Sequence, residues 1–376
     1  MGLPICYTLK SDTMEKRGGH LLFQVHASTP VRINDIGGWT DTWFSEHGKV
    51  LNMAVVPGVE VRLKAMANPE KEPRRVLIHL LNYGEDLWIH PENPDFSQHA
   101  LIHGAFKVLR VPEDVRVEGS IISHVPAGSS TGTSASVCVA LLGALEQLAG
   151  KRHSPRDIAA LAHKVETDVL GLQSGIQDQI AAACGGVCFI DMKQYPHADV
   201  IRLNLDEDLF GRLDQRLLLV YLGRAHRSSD IHQSVIKLLR KEGSQWPVLR
   251  ELRDLADQAK AVLLEADLKA LGAIMIRNTE CQKRLHRDLV SEEAERVIAT
   301  ARSWKASGWK VNGAGGTGGS VTILASGETH ERERMREELR GLGKNIKLLP
   351  VRLTRTGLTV RKVPEDEFSD SEKASF

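Results

Sequence analysis

The residues best suited to chemistry form one short run, Pro126-Ala127-Gly128-Ser129-Ser130-Thr131-Gly132-Thr133-Ser134. Gly128 and Gly132 let the backbone turn tightly, Ser129, Ser130, Thr131, Thr133 and Ser134 supply hydroxyl donors, and an apolar helix follows at once. Backbone N–H groups and the positive end of a helix dipole then converge on one spot, which suits a polyphosphate such as the tail of ATP. A flexible Gly/Ser linker capped by a serine is the plain alternative, although a linker does not ordinarily run straight into an apolar helix. The pattern GxxxxGK[ST] is absent and no lysine lies in the loop, so this is no P-loop. Charge neutralisation falls to Mg²⁺ and to basic residues elsewhere.

Three further segments carry candidate groups. Between Glu166 and Gln179, Glu166 sits late on a helix and Asp178 follows a glycine-containing bend, so the two carboxylates can approach one site from different directions. One can hold Mg²⁺ while the other orients or deprotonates a hydroxyl, as phosphoryl transfer requires; a solvated helix face and a first-turn acid are the bland readings. Thr29 to Asp41 places Gly37 and Gly38 in an apolar setting before an acid, which suits either a ligand-approaching loop or a plain turn between strands. Finally, Gly313 to Gly319 has five glycines in seven positions, read as a close approach to a ligand or as a flexible connector.

The elements that must position these groups are legible in outline. Strands are expected at 21–27, 50–56 and 59–66, the last two separated by the turn signal Pro57-Gly58, and the pattern continues at 76–81 and 86–90, so the first third reads as an antiparallel meander. Helices are expected at 98–109, 133–149 and 155–170, the last with Ser154 as N-cap and Pro155 at its first position. The helix from Thr133 is apolar almost all round and should be buried. A strand at 186–191 precedes a polar connection, 194–208, taken as the domain boundary. Beyond it come a strand at 217–221, helices at 230–239, 247–265, 268–286 and 291–306, a strand at 320–324, a helix at 328–342 and a strand at 347–353. The expected organisation is a leader over 1–19, domains over 20–200 and 210–360, and a disordered tail over 364–376.

Bulk properties narrow the function classes. Forty-nine Lys plus Arg against 48 Asp plus Glu leave a net charge of +1 over 376 residues, no reason to expect nucleic acid or an anionic membrane as partner. Five scattered cysteines suggest buried reduced thiols, with Cys184 and Cys188 conceivable as a metal pair. No stretch of about 18 apolar residues occurs, and the N-terminus lacks an apolar signal core, so a soluble cytoplasmic protein is expected. His99 and His103 share a helical spacing but lack an evident third ligand, and Arg224, His226, Arg227, Ser228 and Ser229 follow a strand, where they would reach a sugar or a phosphate already on it, or form a structural loop.

Taken together and in this order, the four segments resemble the motifs of the GHMP kinase superfamily, which includes galactokinase, homoserine kinase and mevalonate kinase. The glycine-serine loop resembles the ATP-binding motif, with the usual Gly-Leu-Gly-Ser-Ser altered to Ser130-Thr131-Gly132-Thr133-Ser134. Gly37-Gly38-Trp39-Thr40-Asp41 and Gln177-Asp178-Gln179 are more similar to the fucokinase and heptose-kinase branch than to galactokinase. The resemblance implies an α+β, two-domain GHMP kinase fold, a ribosomal-protein-like N-terminal domain joined to a ferredoxin-like C-terminal one. It implies an ATP- and Mg²⁺-dependent sugar kinase acting on the anomeric hydroxyl. By the same resemblance Ser134 and Glu166 hold Mg²⁺, Asp178 is the catalytic aspartate and Arg32 stabilises charge beside it. Gly38, Trp39, Thr40, Asp41, Gly175, Gly315 and Gly316 would meet the sugar. A mevalonate- or homoserine-type kinase, and a sugar sensor that kept the fold without catalysis, stand as the alternatives.

Overall fold

Strand β1 (Leu21–Ile36) alternates between two cores, and this is what places the site. The computed structural model describes residues 20–150, 152–223, 228–313, 315–316 and 318–364. The expected leader, the tail beyond Pro364 and the Arg224–Arg227 cluster lie outside these residues. Val25 and Ala27 of β1 enter a core built on the helix at Thr133, whereas Val31, Ile33 and Ile36 enter a second core shared with helices of the chain's latter half. Arg32 therefore stands where the strand passes from one core to the other.

β1 pairs antiparallel with β2 (Gly48–Ala67), which continues through the expected turn at Pro57-Gly58. Val55 pairs with Val31 and Val59 with Thr29, so Val56, Pro57 and Gly58 together face Pro30. Neither proline can donate to the ladder, so the strand bulges there instead of turning. A side chain on Gly58 would meet the Thr29 carbonyl at 2.0 Å.

The hairpin β3 (Val76–Leu80) and β4 (Glu85–Ile89) does not extend a meander. After α1 (Ala100–Val108), β5 (Val115–Ser123) inserts between β2 and β3, pairing parallel with β3. A parallel neighbour requires a crossover, which α1 supplies. Next comes α2 (Thr133–Leu148), buried on nearly every side as its composition demands. The helix α3 (Pro155–Lys164) begins with a capping box between Ser154 and Asp157, then widens into a π-helical turn over Val165–Val169, short of the expected end at 170.

A short helix α4 (Gln177–Cys184) leads into β6 (Val187–Gln194) and β7 (His197–Arg202), so a strand occupies the stretch expected to be a polar connection. His197, Asp199 and Ile201, at alternate positions, are exposed, as an edge strand tolerates. The chain continues through α5 (Glu207–Arg216), β8 (Leu217–Tyr221), α6 (Ser228–Glu242), α7 (Pro247–Leu264), α8 (Leu268–Leu285), α9 (Glu292–Ser303), β9 (Gly308–Val311), β10 (Ser320–Leu324) and α10 (Thr329–Gly341).

The final segment, expected as one strand at 347–353, is split by Pro350. β11 (Lys347–Leu349) joins an antiparallel sheet ordered β11-β8-β10-β9, while β12 (Arg352–Leu353) and β13 (Thr359–Pro364) return to β2 and β1 of the first sheet. α9 and α10 cover one face of the smaller sheet through Val297, Ile298, Met335 and Leu339. Four cysteines are described; burial pushes the Cys188 thiol up to about 12, consistent with a structural group.

Candidate active site

A cleft of about 1200 Å³ runs between the halves, and all of Pro126–Ser134 lines it. The loop owes its shape to three left-handed residues, Gly128 (φ 71°), Ser130 (φ 55°) and Gly132 (φ 70°). Its carbonyls are tied back into the protein: Arg32 N donates to Thr131 O at 3.0 Å, the Arg32 guanidinium to Ser130 O, and Ser320 Oγ to Ser129 O at 2.6 Å. The buried Ser129 and Thr131 hydroxyls bond each other at 2.7 Å and Thr131 bonds Thr133 at 3.1 Å, so these three shape the loop, while Ser130 and the exposed Ser134 line the cleft.

Beside the loop, Arg32 Nε lies 2.7 Å from Asp178 Oδ1 and Nη2 lies 3.3 Å from Oδ2. Arg32 is 5% exposed and Asp178 29%, so the carboxylate faces the cleft and the guanidinium backs it. Burial disfavours the Arg32 charge, but Asp178 and Asp35 outweigh it and hold the guanidinium above its ordinary value.

Asp41 closes the next wall. Its Oδ2 accepts from Gln177 N at 3.1 Å and its Oδ1 from Gln177 Nε2 at 3.4 Å. Burial, then repulsion from Asp178, pushes its carboxyl up to about 6. Gly175 lines the cleft and is needed there, because a Cβ would fall 2.2 Å from Asp41 Oδ2. Glu166, in the π-helical turn, accepts from Ser174 Oγ and, at 3.1 Å, from Gln179 Nε2 through Oε2. Its Oε1 is buried without a protein partner, and burial pushes the carboxyl up to about 7. Four carboxylates line this cleft; Lys310 pairs with Asp35 and Arg32 with Asp178, which leaves Asp41 and Glu166 without an ion-pair partner among the described residues. A divalent cation fits that imbalance.

The remaining expected residues divide. Trp39 lines the cleft; Gly38 and Thr40 build the turn beneath it, Gly38 N donating to Asp35 O and Thr40 Oγ1 to Gly37 O. Gly313 reaches the cleft, but Gly315 and Gly316 do not line it: Gly316 N donates to Leu289 O, and a Cβ on Gly315 would sit 2.0 Å from that carbonyl. Those two glycines anchor the loop instead of meeting a ligand. His99 sits on the cleft rim bonded to Glu85, while His103 is buried in α1. Ser174, Trp43, Gln173 and Asp35 are cleft groups that the sequence reading missed as site residues, and behind them stand Gln179, bonded to Glu166, and Lys310, paired with Asp35. Ser174, between Gly171 and Gly175, had a flanking turn signal; Lys310, alone in a strand, had none.

Residues 100–186, which hold the glycine loop, Glu166 and Asp178, match the family described as GHMP kinases N terminal domain. These residues form a GHMP kinase N-terminal domain. It is 27% identical over 330 residues to the bifunctional fucokinase/GDP-fucose pyrophosphorylase of Arabidopsis thaliana, covering 82% of this chain and 30% of that protein. With the mevalonate kinase of Pyrococcus horikoshii it shares 30% identity over 227 residues, covering 58% and 62% respectively. The chain therefore spans less than two thirds of either relative. The crystal structure of a D-glycero-D-manno-heptose 1-phosphate kinase from Bacteriodes thetaiotaomicron superposes with a TM-score of 0.69 at 21% identity, over 90% of this chain and 99% of that one, a likeness of fold. Among the described residues no helix is long and apolar enough to cross a membrane.

Proposed function

We propose that this chain is an ATP- and Mg²⁺-dependent kinase that phosphorylates a sugar at its anomeric hydroxyl. The observation that carries the reading is the Arg32–Asp178 pair, set between the glycine loop and Asp41 in one cleft. The apolar end of the cleft, with Leu80, Leu101, Ile121 and Val125, accommodates the adenine base, and the glycine loop holds the phosphates. Trp39, Asp41 and Trp43, which line the same cleft, accommodate a polyhydroxylated acceptor.

Phosphoryl transfer asks for positioning and charge stabilisation more than covalent chemistry. The acceptor O–H gives its proton to an Asp178 carboxylate oxygen as the acceptor oxygen bonds the γ-phosphorus. The bond to the β,γ-bridging oxygen breaks, and ADP leaves. Arg32, bonded both to Asp178 and to Ser130 O, fixes the carboxylate relative to the phosphate loop. Ser134 and Glu166 would hold Mg²⁺, for which the partnerless Glu166 Oε1 is the fitting donor; the ion would neutralise phosphate charge.

The plant relative's name supports a fucose-like acceptor, and the archaeal relatives' names support mevalonate as a second reading. Asp41, with its two contacts to Gln177, favours the polyol. An ATP-consumption assay over fucose, galactose, arabinose, glucuronate, heptose and heptose 7-phosphate, with mevalonate alongside, tests the choice. Turnover with an aldose is expected. Turnover with mevalonate alone would reverse the assignment, and binding of sugar and ATP without turnover would make the protein a sensor.

A further inference from the structure

Two ionisable side chains at the junction of the halves take no part in that chemistry. Asp35, in β1, and Lys310, in β9, form an ion pair of 3.2 Å with both side chains 1% exposed. Withdrawing such charges from water is expensive, and apolar residues of similar volume would pack at least as well. What surrounds the pair shows what it holds.

Both carboxylate oxygens of Asp35 lie 3.1 Å from the Gly313 N–H, and Lys310 Nζ also donates to Val311 O at 2.5 Å. Gly313 has φ 56°, and a Cβ there would lie 3.1 Å from both Arg32 Nη2 and Ser130 O. The turn at Gly313 therefore rests directly on the residue that backs Asp178 and on the phosphate loop. Nearby, Asn312 Oδ1 accepts from Asn34 N at 3.0 Å, which ties the same stretch to β1. Burial works against the Asp35 charge, yet Lys310, Arg32 and the Gly313 N–H prevail and hold the carboxyl below the usual range.

We infer that the Asp35–Lys310 pair is a positioning device: the Asp35 carboxylate seats the Gly313 turn against Arg32 and Ser130, and Lys310 makes that carboxylate tolerable in the interior. The pair thereby links the smaller sheet to the spacing between Asp178 and the phosphate loop. Its kinetic consequence rests on the kinase reading; its structural consequence does not.

The test compares two full-length double variants with the wild type. Asp35→Asn/Lys310→Met keeps an acceptor for the Gly313 N–H, and Asp35→Leu/Lys310→Met keeps none. Melting, amide hydrogen exchange at Gly313, and kcat with KM for ATP are measured on each. Both variants are expected to melt within a few degrees of each other. The leucine variant should exchange at least tenfold faster at Gly313 and lose at least tenfold in kcat, and the asparagine variant should recover most of both. Equal exchange and equal kcat in the two variants would show a purely stabilising pair and overturn the inference. Should the leucine variant not fold, Lys310→Met alone replaces it: Gly313 should stay protected despite a lowered melting temperature, and protection that falls in step with melting overturns the inference. A wild type with no turnover on any acceptor would defeat the kinase reading while leaving the exchange measurement decisive.

Discussion

Gly132 and Asp178 touch: a methyl group on Gly132 would lie 3.0 Å from the Asp178 carboxyl carbon. The N-cap of α2 is thus packed on the carboxylate assigned to proton transfer, and its φ of 70° already excludes most side chains. Gly132→Ala is expected to destabilise the fold by about 1–2 kcal/mol, since alanine at positive φ costs more than the entropy it saves. It should also lower kcat, because the new methyl displaces Asp178. Melting and initial rates at saturating ATP check both, and an unchanged kcat would show that Asp178 tolerates displacement.

Removing the base itself should separate binding from turnover. Asp178→Asn keeps the shape and the contact to Arg32 but cannot accept the proton, so kcat should fall by roughly 10²- to 10⁴-fold. ATP affinity, measured by calorimetry, should change little. Near-normal turnover in this variant sinks the mechanism.

The phosphate loop and α2 were legible because their signal is local: glycines and hydroxyls followed immediately by an apolar helix. Ser154 and Pro155 announced α3 for the same reason. Strand β5 was missed, and with it the meander failed, because strand order is decided by which edge a later segment reaches. Pro57-Gly58 carries a turn signal, yet Pro30 opposite it makes a bulge the better solution. Glycines 313, 315 and 316 look alike in sequence; only their partners, Asp35 for the first, Asn312 for the second and Leu289 for the third, tell them apart. Lys310 and Asp35 stand 275 residues apart, and nothing local marks either as half of a buried pair.

Glu166→Gln tests the cation site. The amide keeps acceptor capacity toward Ser174 but loses the charge, so the Mg²⁺ concentration for half-maximal rate should rise at least tenfold, as loss of a carboxylate ligand implies. The KM for the sugar should move little. Identical Mg²⁺ titrations for wild type and variant would remove Glu166 from the metal site.

A control far from the cleft fixes the scale. Ser154 accepts from Asp157 N and Asp157 returns a bond to Ser154 N, a complete capping box. Ser154→Ala should cost about 1 kcal/mol of stability with no change in kcat or KM. A change in kinetics would reveal coupling between α3 and the site beyond the π-helical turn.

Asp41 sets function against stability. Burial raises its carboxyl from 3.8 to about 6 in the folded chain, so between these values the folded state keeps a proton that the unfolded state has lost. The folded state then binds more protons, and stability falls as pH rises through that window. Above about 6 the whole penalty, about 3 kcal/mol at 1.36 kcal/mol per unit, persists. Asp41→Asn removes it, and its new amide can donate to Gln177 Oε1, which is buried without a partner. The variant should therefore melt higher than wild type at pH 7.5 and converge with it below about pH 4, while its KM for the sugar rises at least tenfold for want of a charged acceptor. Melting curves across pH 4–8 and sugar titrations decide it: a variant less stable at pH 7.5 would mean that the Asp41 charge is compensated in the folded chain, and an unchanged KM would remove Asp41 from the acceptor site.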